Sequence, residues 1–217
     1  KQKRKSEMKA LQAQINPHFL YNTLDSIIWM SEAGENDQVV LMTSALAKLL
    51  RQSISNDREQ ITVAEEIDYV RSYLTIQKMR YKDKLEYTID VEERILDVWI
   101  IKFVLQPLVE NAIYHGLKYK ETKGNLDIRG YRRGNRVCLV VADDGAGMEE
   151  SELEHILEKK EKKTKSNGVG VYNVQKRLQL YYGPEYGISY ISRKGEGTVA
   201  TVTIPLDGGK SNEETGR

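Results

Sequence analysis

The chain has 217 residues, 40 % hydrophobic and 30 % charged, with a formal net charge of +1 and one cysteine. That length holds one or two domains of ordinary soluble composition, and the near-zero charge excludes a general pull toward nucleic acid or acidic lipid. A lone cysteine excludes an internal disulfide and fits a reducing compartment, and no stretch reads as a membrane span or a signal peptide.

The chain opens on Lys1-Gln2-Lys3-Arg4-Lys5 without an initiator Met. This reads as the start of a fragment. The basic cluster is either the cytoplasmic flank of a missing membrane helix or a solvated helix end. Residues 6 to about 81 read as helical. Leu11, Ile15, Leu20, Leu24 and Ile27/Ile28 recur at three- and four-residue steps, and Gly34 and Asn36 mark a break. Val40/Leu41, Ala45, Leu46, Leu49/Leu50 and Ile54 resume the pattern up to Asn56-Asp57. Thr62-Val63-Ala64-Glu65 has the spacing of a capping box, and Ile67, Val70, Leu74 and Gln77 carry the stripe onward. Such amphipathic helices bury their faces only against each other or a second copy of the chain.

Asn16-Pro17 predicts a kink or a helix start, because proline lacks the N–H and clashes in a helix interior. His18 sits at that irregularity, and a neutral imidazole is a competent nucleophile near neutral pH. Asn22 is one turn on and Asp25 two turns on, on the same face. Asp25 could hold the ring's other N–H. Asn22 could hold a water for a reverse, hydrolytic step.

The character changes near Lys82. Leu85–Val91 alternates with period two and reads as a strand. Residues 102–117 return to helix. Leu126–Arg132 and Arg136–Asp143 read as strands joined by the hairpin signal Gly134-Asn135. A short helix is predicted over Ser151–Glu158 within the polar stretch 149–163. Val169–Tyr182 reads as a helix ended by Gly183-Pro184. Ile188–Arg193 and Thr198–Pro205 form a last strand pair around Gly195-Glu196-Gly197. The tail from Gly208 is polar and reads as disordered. The expected division is a helical dimerisation segment over 1–81, an α+β domain over 82–207 with a mostly antiparallel sheet and helices on one face, and a tail over 208–217.

Three blocks in the second half carry chemistry. Glu110-Asn111-Ala112-Ile113-Tyr114-His115-Gly116 puts an acid and an amide side by side on a helix. The Asn111 oxygen suits Mg2+, a hard ion that keeps waters when it travels with a triphosphate, and Glu110 could orient one of those waters. Asp143-Asp144-Gly145-Ala146-Gly147-Met148 follows an apolar strand. Asp143 could accept a hydrogen bond from the exocyclic amine of adenine, with Gly145 and Gly147 letting backbone pass close under the ring. In Asn167-Gly168-Val169-Gly170-Val171-Tyr172-Asn173, Gly168 and Gly170 precede a helix start whose free N–H groups attract phosphate. The lysine-rich run 158–165 reads as a mobile lid over the phosphates. No Walker pattern is present, and this helix does not follow a strand in a βαβ unit. Cys138 and His115 read as packing residues and His155 as an exposed residue of the lid region.

In order and content these blocks resemble the N, G1 and G2 boxes of the GHKL ATPase superfamily, which includes the ATP-binding domains of sensor histidine kinases. Residues 106–113 and 170–178 resemble the LytS/YesM type, and residues 12–24 resemble its phosphoacceptor box. The resemblance covers about residues 8–206. It implies a two-layer α/β sandwich that binds ATP, with Mg2+ on Asn111 and adenine read by Asp143. Gly145, Gly147, Gly168 and Gly170 shape the pocket, and Thr198 lies near the adenine. It further implies a homodimeric kinase core that autophosphorylates on His18 and passes the phosphoryl group to an aspartate of a response regulator. No nucleic-acid partner is expected from the near-zero charge, and the resemblance implies a full-length protein anchored in a bacterial membrane with this part on the cytoplasmic side. Tyr114 stands where Lys is frequent, Asp144 where Asn is usual, and Phe19 where many other sensor kinases carry an acid. The alternatives are an ATPase that uses Glu110 to activate water, and a degenerate kinase acting as a dimeric scaffold.

Overall fold

The computed structural model describes residues 17–54, 58–118, 120–156 and 169–208. The expectations for residues 1–16, Asn56-Asp57, the lid 158–165, Gly168 and the tail after Gly208 lie outside the described residues, as does the side chain of His155.

Helices α1 (Pro17–Glu32) and α2 (Asn36–Ile54) are joined by a turn in which Gly34 takes φ +75°. They bury Phe19, Thr23 and Met30 with Met42, Ala45, Leu46 and Leu49. Helix α3 (Val63–Tyr81) starts at the expected capping box: Thr62 Oγ1 accepts from Glu65 N at 3.2 Å, and Glu65 Oε2 accepts from Thr62 N at 2.8 Å. α3 is buried on several sides, because α2 packs on one flank and β2 (Leu85–Val91) on another. The stripe predicted from the sequence therefore marks only one of its buried faces.

A three-residue strand, β1 (Gln60–Thr62), interrupts the region expected to be helical. It pairs antiparallel with β3 (Trp99–Ile101), placing buried Ile61 opposite buried Ile100. A strand this short leaves no periodic signature, and its partner lies far along the chain. Gln60 Nε2 also donates to Gly208 O at 2.8 Å. Gly208, which the sequence reading groups with the tail, is buried against Trp99.

The main sheet has the order β2-β4-β5-β7-β6. Strands β4 (Gly124–Arg133), β5 (Arg136–Asp143), β6 (Gly187–Arg193) and β7 (Gly197–Pro205) pair antiparallel, and β2 joins β4 in parallel. The Gly134-Asn135 hairpin forms as expected, with Gly134 at φ +62°. Leu126, Ile128, Leu139, Val141, Ala200, Val202 and Ile188 line one face and enter a single core with the helices. The fold is an N-terminal helical segment followed by a two-layer α/β sandwich.

Residues 102–117 are not one helix. Residues 102–105 bend, with Phe103 at φ +57°. Helix α4 (Gln106–Asn111) follows and opens into a π-helical turn over Ala112–Leu117. Helix α5 (Glu150–His155) is shorter than predicted, while α6 (Val169–Tyr182) has the predicted bounds.

A buried carboxylate ties α3, α4 and α6 together. Glu66, 0 % exposed, accepts from Phe103 N and Leu105 N, each at 2.9 Å, and so satisfies free amides at the start of α4. Arg177 of α6, 1 % exposed, donates to Lys102 O at 2.5 Å. Burial pushes the Glu66 carboxyl up, against the pull of those amides and the Arg177 charge.

Candidate functional site

Asp143 ends β5 in a row of register partners: Leu126, Asp143, Thr198 and Ser192 lie side by side across four strands. Its Oδ1 accepts from Gly145 N at 2.9 Å. Burial pushes the carboxyl up to about 6, and the neighbouring charge of Asp144 adds to the shift, while amide hydrogen bonds from Gly145 and Thr198 oppose it. A perturbed acid at a strand end is what a recognition site requires.

Backbone presses on this carboxyl group closely. A Cβ on Gly116, in the π-helical turn, would lie 2.5 Å from Asp143 Oδ1. One on Gly145 would lie 2.2 Å from the carbonyl of Gly116, and one on Gly197 2.0 Å from Asp143 O. Gly147 takes φ +63°, and its Cβ would meet Arg193 O at 1.9 Å. Ala146 N donates to Gly116 O at 3.0 Å and Gly195 N to Ala146 O at 2.7 Å. Ser192 Oγ accepts from Met148 N at 2.9 Å, donates to Gly197 O at 2.9 Å, and lies 2.9 Å from Thr198 Oγ1. The acidic turn is thus clamped between the π-helical turn and the β6–β7 hairpin. Gly116, Gly197 and Ser192 are the site residues that sequence reasoning missed. Gly116 closes the first block, but nothing local reveals which carboxylate it faces.

Glu110 and Asn111 end α4, and both are half-buried. Glu110 Oε1 accepts from Gln106 Nε2 at 2.8 Å, and burial pushes its carboxyl up despite that bond. Gly170, at the start of α6, stands 3.4 Å from Pro107 Cβ by its would-be Cβ, so the second helix begins beside the first. The structure therefore brings Asp143, Gly145, Gly147 and Thr198 together at one end of the sheet, and sets Gly170 beside Pro107 in the helix that carries Glu110 and Asn111.

Of the two departures, the structure gives a reason for Asp144 and none for Tyr114. Asp144 accepts from Asn125 N at 2.8 Å and Nδ2 at 2.7 Å and pairs with Lys120 at 2.7 Å. Burial alone would raise it, but these partners bring its carboxyl below the ordinary range. Tyr114 buries its hydroxyl without a partner among the described residues. His115, expected as packing, lies on the solvent side of the turn.

His18 is exposed on α1. Asn22 Nδ2 lies 3.1 Å from its Nδ1 and 3.2 Å from its Nε2. No hydrogen bond joins Asp25 to the ring among the described residues. Phe19, 4 % exposed, turns the other way, its ring centroid 5.0 Å from that of Tyr73 on α3. The phenol of Tyr73 in turn lies within reach of the Glu110 charge, and both burial and that charge push it up.

For Mg2+ the donors fit. Among the described residues no cluster of three His, Cys, Asp or Glu side chains could hold a metal by itself. A triphosphate-borne Mg2+ needs only one or two protein oxygens, and the half-buried amide of Asn111 is of the kind that supplies one.

This sheet, with its clamped acidic turn and the helix pair across it, defines a nucleotide-binding class. Residues 97–208 match the family described as histidine kinase-, DNA gyrase B-, and HSP90-like ATPase, and residues 6–85 match the histidine kinase family. The chain belongs to this ATPase family and, within it, to the LytS/YesM type of sensor histidine kinase. It is 39 % identical over 202 residues to sensor histidine kinase YesM of Bacillus subtilis, covering 93 % of this chain and 34 % of YesM. It is 33 % identical over 207 residues to sensor protein LytS of Oceanobacillus iheyensis, covering 93 % of this chain and 35 % of LytS. The chain spans about a third of the length of these relatives. Among solved structures, the catalytic domain of histidine kinase ThkA aligns with TM-score 0.53 at 19 % identity, covering 68 % of this chain and 96 % of ThkA's. The histidine kinase domain of the Erythrobacter litoralis EL346 blue-light activated kinase aligns with TM-score 0.52 at 16 % identity over 95 % of this chain and 96 % of its own. These two likenesses bear on the fold alone.

Proposed function

We propose that this chain is the catalytic core of a two-component sensor histidine kinase, which binds ATP with Mg2+ and phosphorylates His18. The observation that carries the ATP reading is the seam where Gly116, Gly145 and Gly197 close on Asp143. A Cβ on Gly116 would strike the Asp143 carboxyl itself, and one on Gly145 or Gly197 would strike the backbone that holds it, so the seam keeps this carboxyl in place to accept from the adenine amine. Asp143 reads the base, Gly145 and Gly147 let the ring approach, and Thr198 closes the row beside it. Asn111 would hold Mg2+, which would neutralise charge on the phosphates, while Glu110 would orient water beside it. Gly170, with Gly168 before it, shapes the phosphate end near the start of α6.

In the reaction a ring-nitrogen lone pair of His18 attacks the γ-phosphorus in line. The new N–P bond forms as the bond from the γ-phosphorus to the β–γ bridging oxygen breaks, and ADP leaves with that electron pair. The proton on the other ring nitrogen is then released. Asn22 steadies the ring, and Phe19 against Tyr73 leaves His18 facing outward. Asp25 lies a turn further on the same face, and its charge eases the positive charge formed on the ring during attack. The phosphoryl group passes to an aspartate of a response regulator.

The outward side of α1 and the start of α2 expose Tyr21, Leu24, Ile28, Trp29, Val40 and Leu41, with Trp29 70 % exposed. Such a patch favours a second copy of the chain as its cover. The division into a helical segment over 1–81 and an ATP-binding unit over 82–207 is retained, with α3 as the element shared between them. Among the described residues no helix is long and apolar enough to cross a membrane. Anchoring on the cytoplasmic face of a bacterial membrane belongs to the full-length protein.

The test is labelling with γ-phosphate-tagged ATP. Wild-type chain should yield an acid-labile phosphoprotein, and His18→Gln and Asn111→Ala should not. Equal labelling of His18→Gln overturns the acceptor assignment.

A further inference from the structure

Tyr190 stands one register step from the recognition row. It pairs with Ala200, which pairs with Val141, while Ser192, Thr198 and Asp143 occupy the adjacent row on the same face. Residues two apart on a strand share a face, so Tyr190 lies on the helix-covered side with Asp143. Ala200 between them is small and leaves room for a large ring. The Tyr190 hydroxyl is buried and has no hydrogen-bond partner among the described residues. Burial, and then the charge of Asp143, push its phenol up, so the carboxylate is near enough to be felt.

Packing does not explain the oxygen. Phe would fill the same space beside Ala200 without burying an unpaired hydroxyl, which is costly in a folded protein. A buried orphan calls for a specific explanation, and completion by a ligand or a bridging water is one that fits its place beside Asp143. We infer that Tyr190 is a further base-binding residue of the nucleotide pocket, its hydroxyl giving a 6-aminopurine a second hydrogen-bonding group beside Asp143. The inference rests on the ATP reading of this site. The hydroxyl serves the base and not the phosphates, because its row lies deeper along the strands than the glycine turn. A bridging water shared with Asp143 would serve equally well as a direct bond.

The test is calorimetric titration with Mg-ADP, which avoids phosphoryl transfer, and with inorganic tripolyphosphate, on the wild-type chain, Tyr190→Phe and Asp143→Asn. Tyr190→Phe should fold and melt at or above the wild-type temperature without ligand, because the orphan oxygen is gone. It should bind ADP roughly fivefold to twentyfold more weakly, the scale of one lost hydrogen bond, and tripolyphosphate unchanged. Wild-type ADP affinity in Tyr190→Phe, with affinity lost in Asp143→Asn, overturns the role of Tyr190 and leaves the ATP reading intact. A parallel loss of tripolyphosphate binding in Tyr190→Phe also overturns it, since the defect is then general. No ADP binding by the wild-type chain overturns both.

Discussion

The nucleotide half and the acceptor half solve opposite problems. Around Asp143 the backbone leaves no room: three glycines stand where any Cβ would strike the carboxylate, its own backbone or the facing turn. On α1 the reverse holds, because one face is buried and the other presents His18 among exposed apolar side chains. The setting of Asp143 is thus fixed by contacts within one chain. The surface around His18 is specified only in outline, since its apolar stripe has no cover among the described residues. A site that must recognise a small, constant ligand is built rigid, whereas one that meets a protein partner stays open.

If that contrast is right, the largest disturbance comes from the joint behind the pocket. Glu66→Ala leaves the Phe103 and Leu105 amides without their acceptor and removes a charge that offsets buried Arg177, and should lower the free energy of unfolding by roughly 3–5 kcal/mol in a urea melt. Gly116→Ala comes next. It pushes on Asp143 directly and should weaken ADP binding more than about tenfold by calorimetry, while helix content by circular dichroism is kept. On the open side, Leu24→Glu combined with Ile28→Glu places charge in the proposed dimer surface. Light scattering should show a shift toward monomer of about a hundredfold in association constant, with ADP affinity unchanged. A loss of ADP affinity there would erase the separation between the halves.

Protonation sharpens the same comparison. The folded Asp143 carboxyl titrates at about 6, above its unfolded value near 3.9. Between those values the native chain holds a proton that the unfolded chain has released, so stability falls as pH rises through that window. Asp143→Asn should escape this fall, and thermal melts from about pH 4 to about pH 7 would read it. ADP affinity of the wild type should drop as pH is lowered through about 6, as the acceptor carboxylate is lost. The smallest effect belongs to the cap: Thr62→Ala should cost about 1 kcal/mol, read as a lowered melting temperature with ADP affinity untouched.

Much of this was legible in the chain before any coordinates. The capping box at Thr62-Glu65, the Gly134-Asn135 hairpin and the bounds of α6 are local instructions, carried by residues within one turn or loop of each other. So were the candidate ligands Asn111 and Asp143, because acid, amide and glycine at those spacings suit a nucleotide. Strands β1 and β3 were not legible, since three residues carry no period and each exists only by pairing with the other. The π-helical turn at Ala112–Leu117 was hidden for a related reason: its sequence reads as ordinary helix, and what widens it is accommodated by the acidic turn packed beneath.

The amino-acid order by itself determined which groups do chemistry, because side-chain type sets what can coordinate, accept or attack. Tertiary structure alone decided their company. It set Gly116 and Gly197 against Asp143, brought Glu66 under the start of α4, spent Asp144 on Asn125 and Lys120, and laid Tyr190 beside the recognition row. Each of those contacts joins residues far apart in the chain, and long-range packing at sub-ångström tolerance is fixed by the whole fold at once.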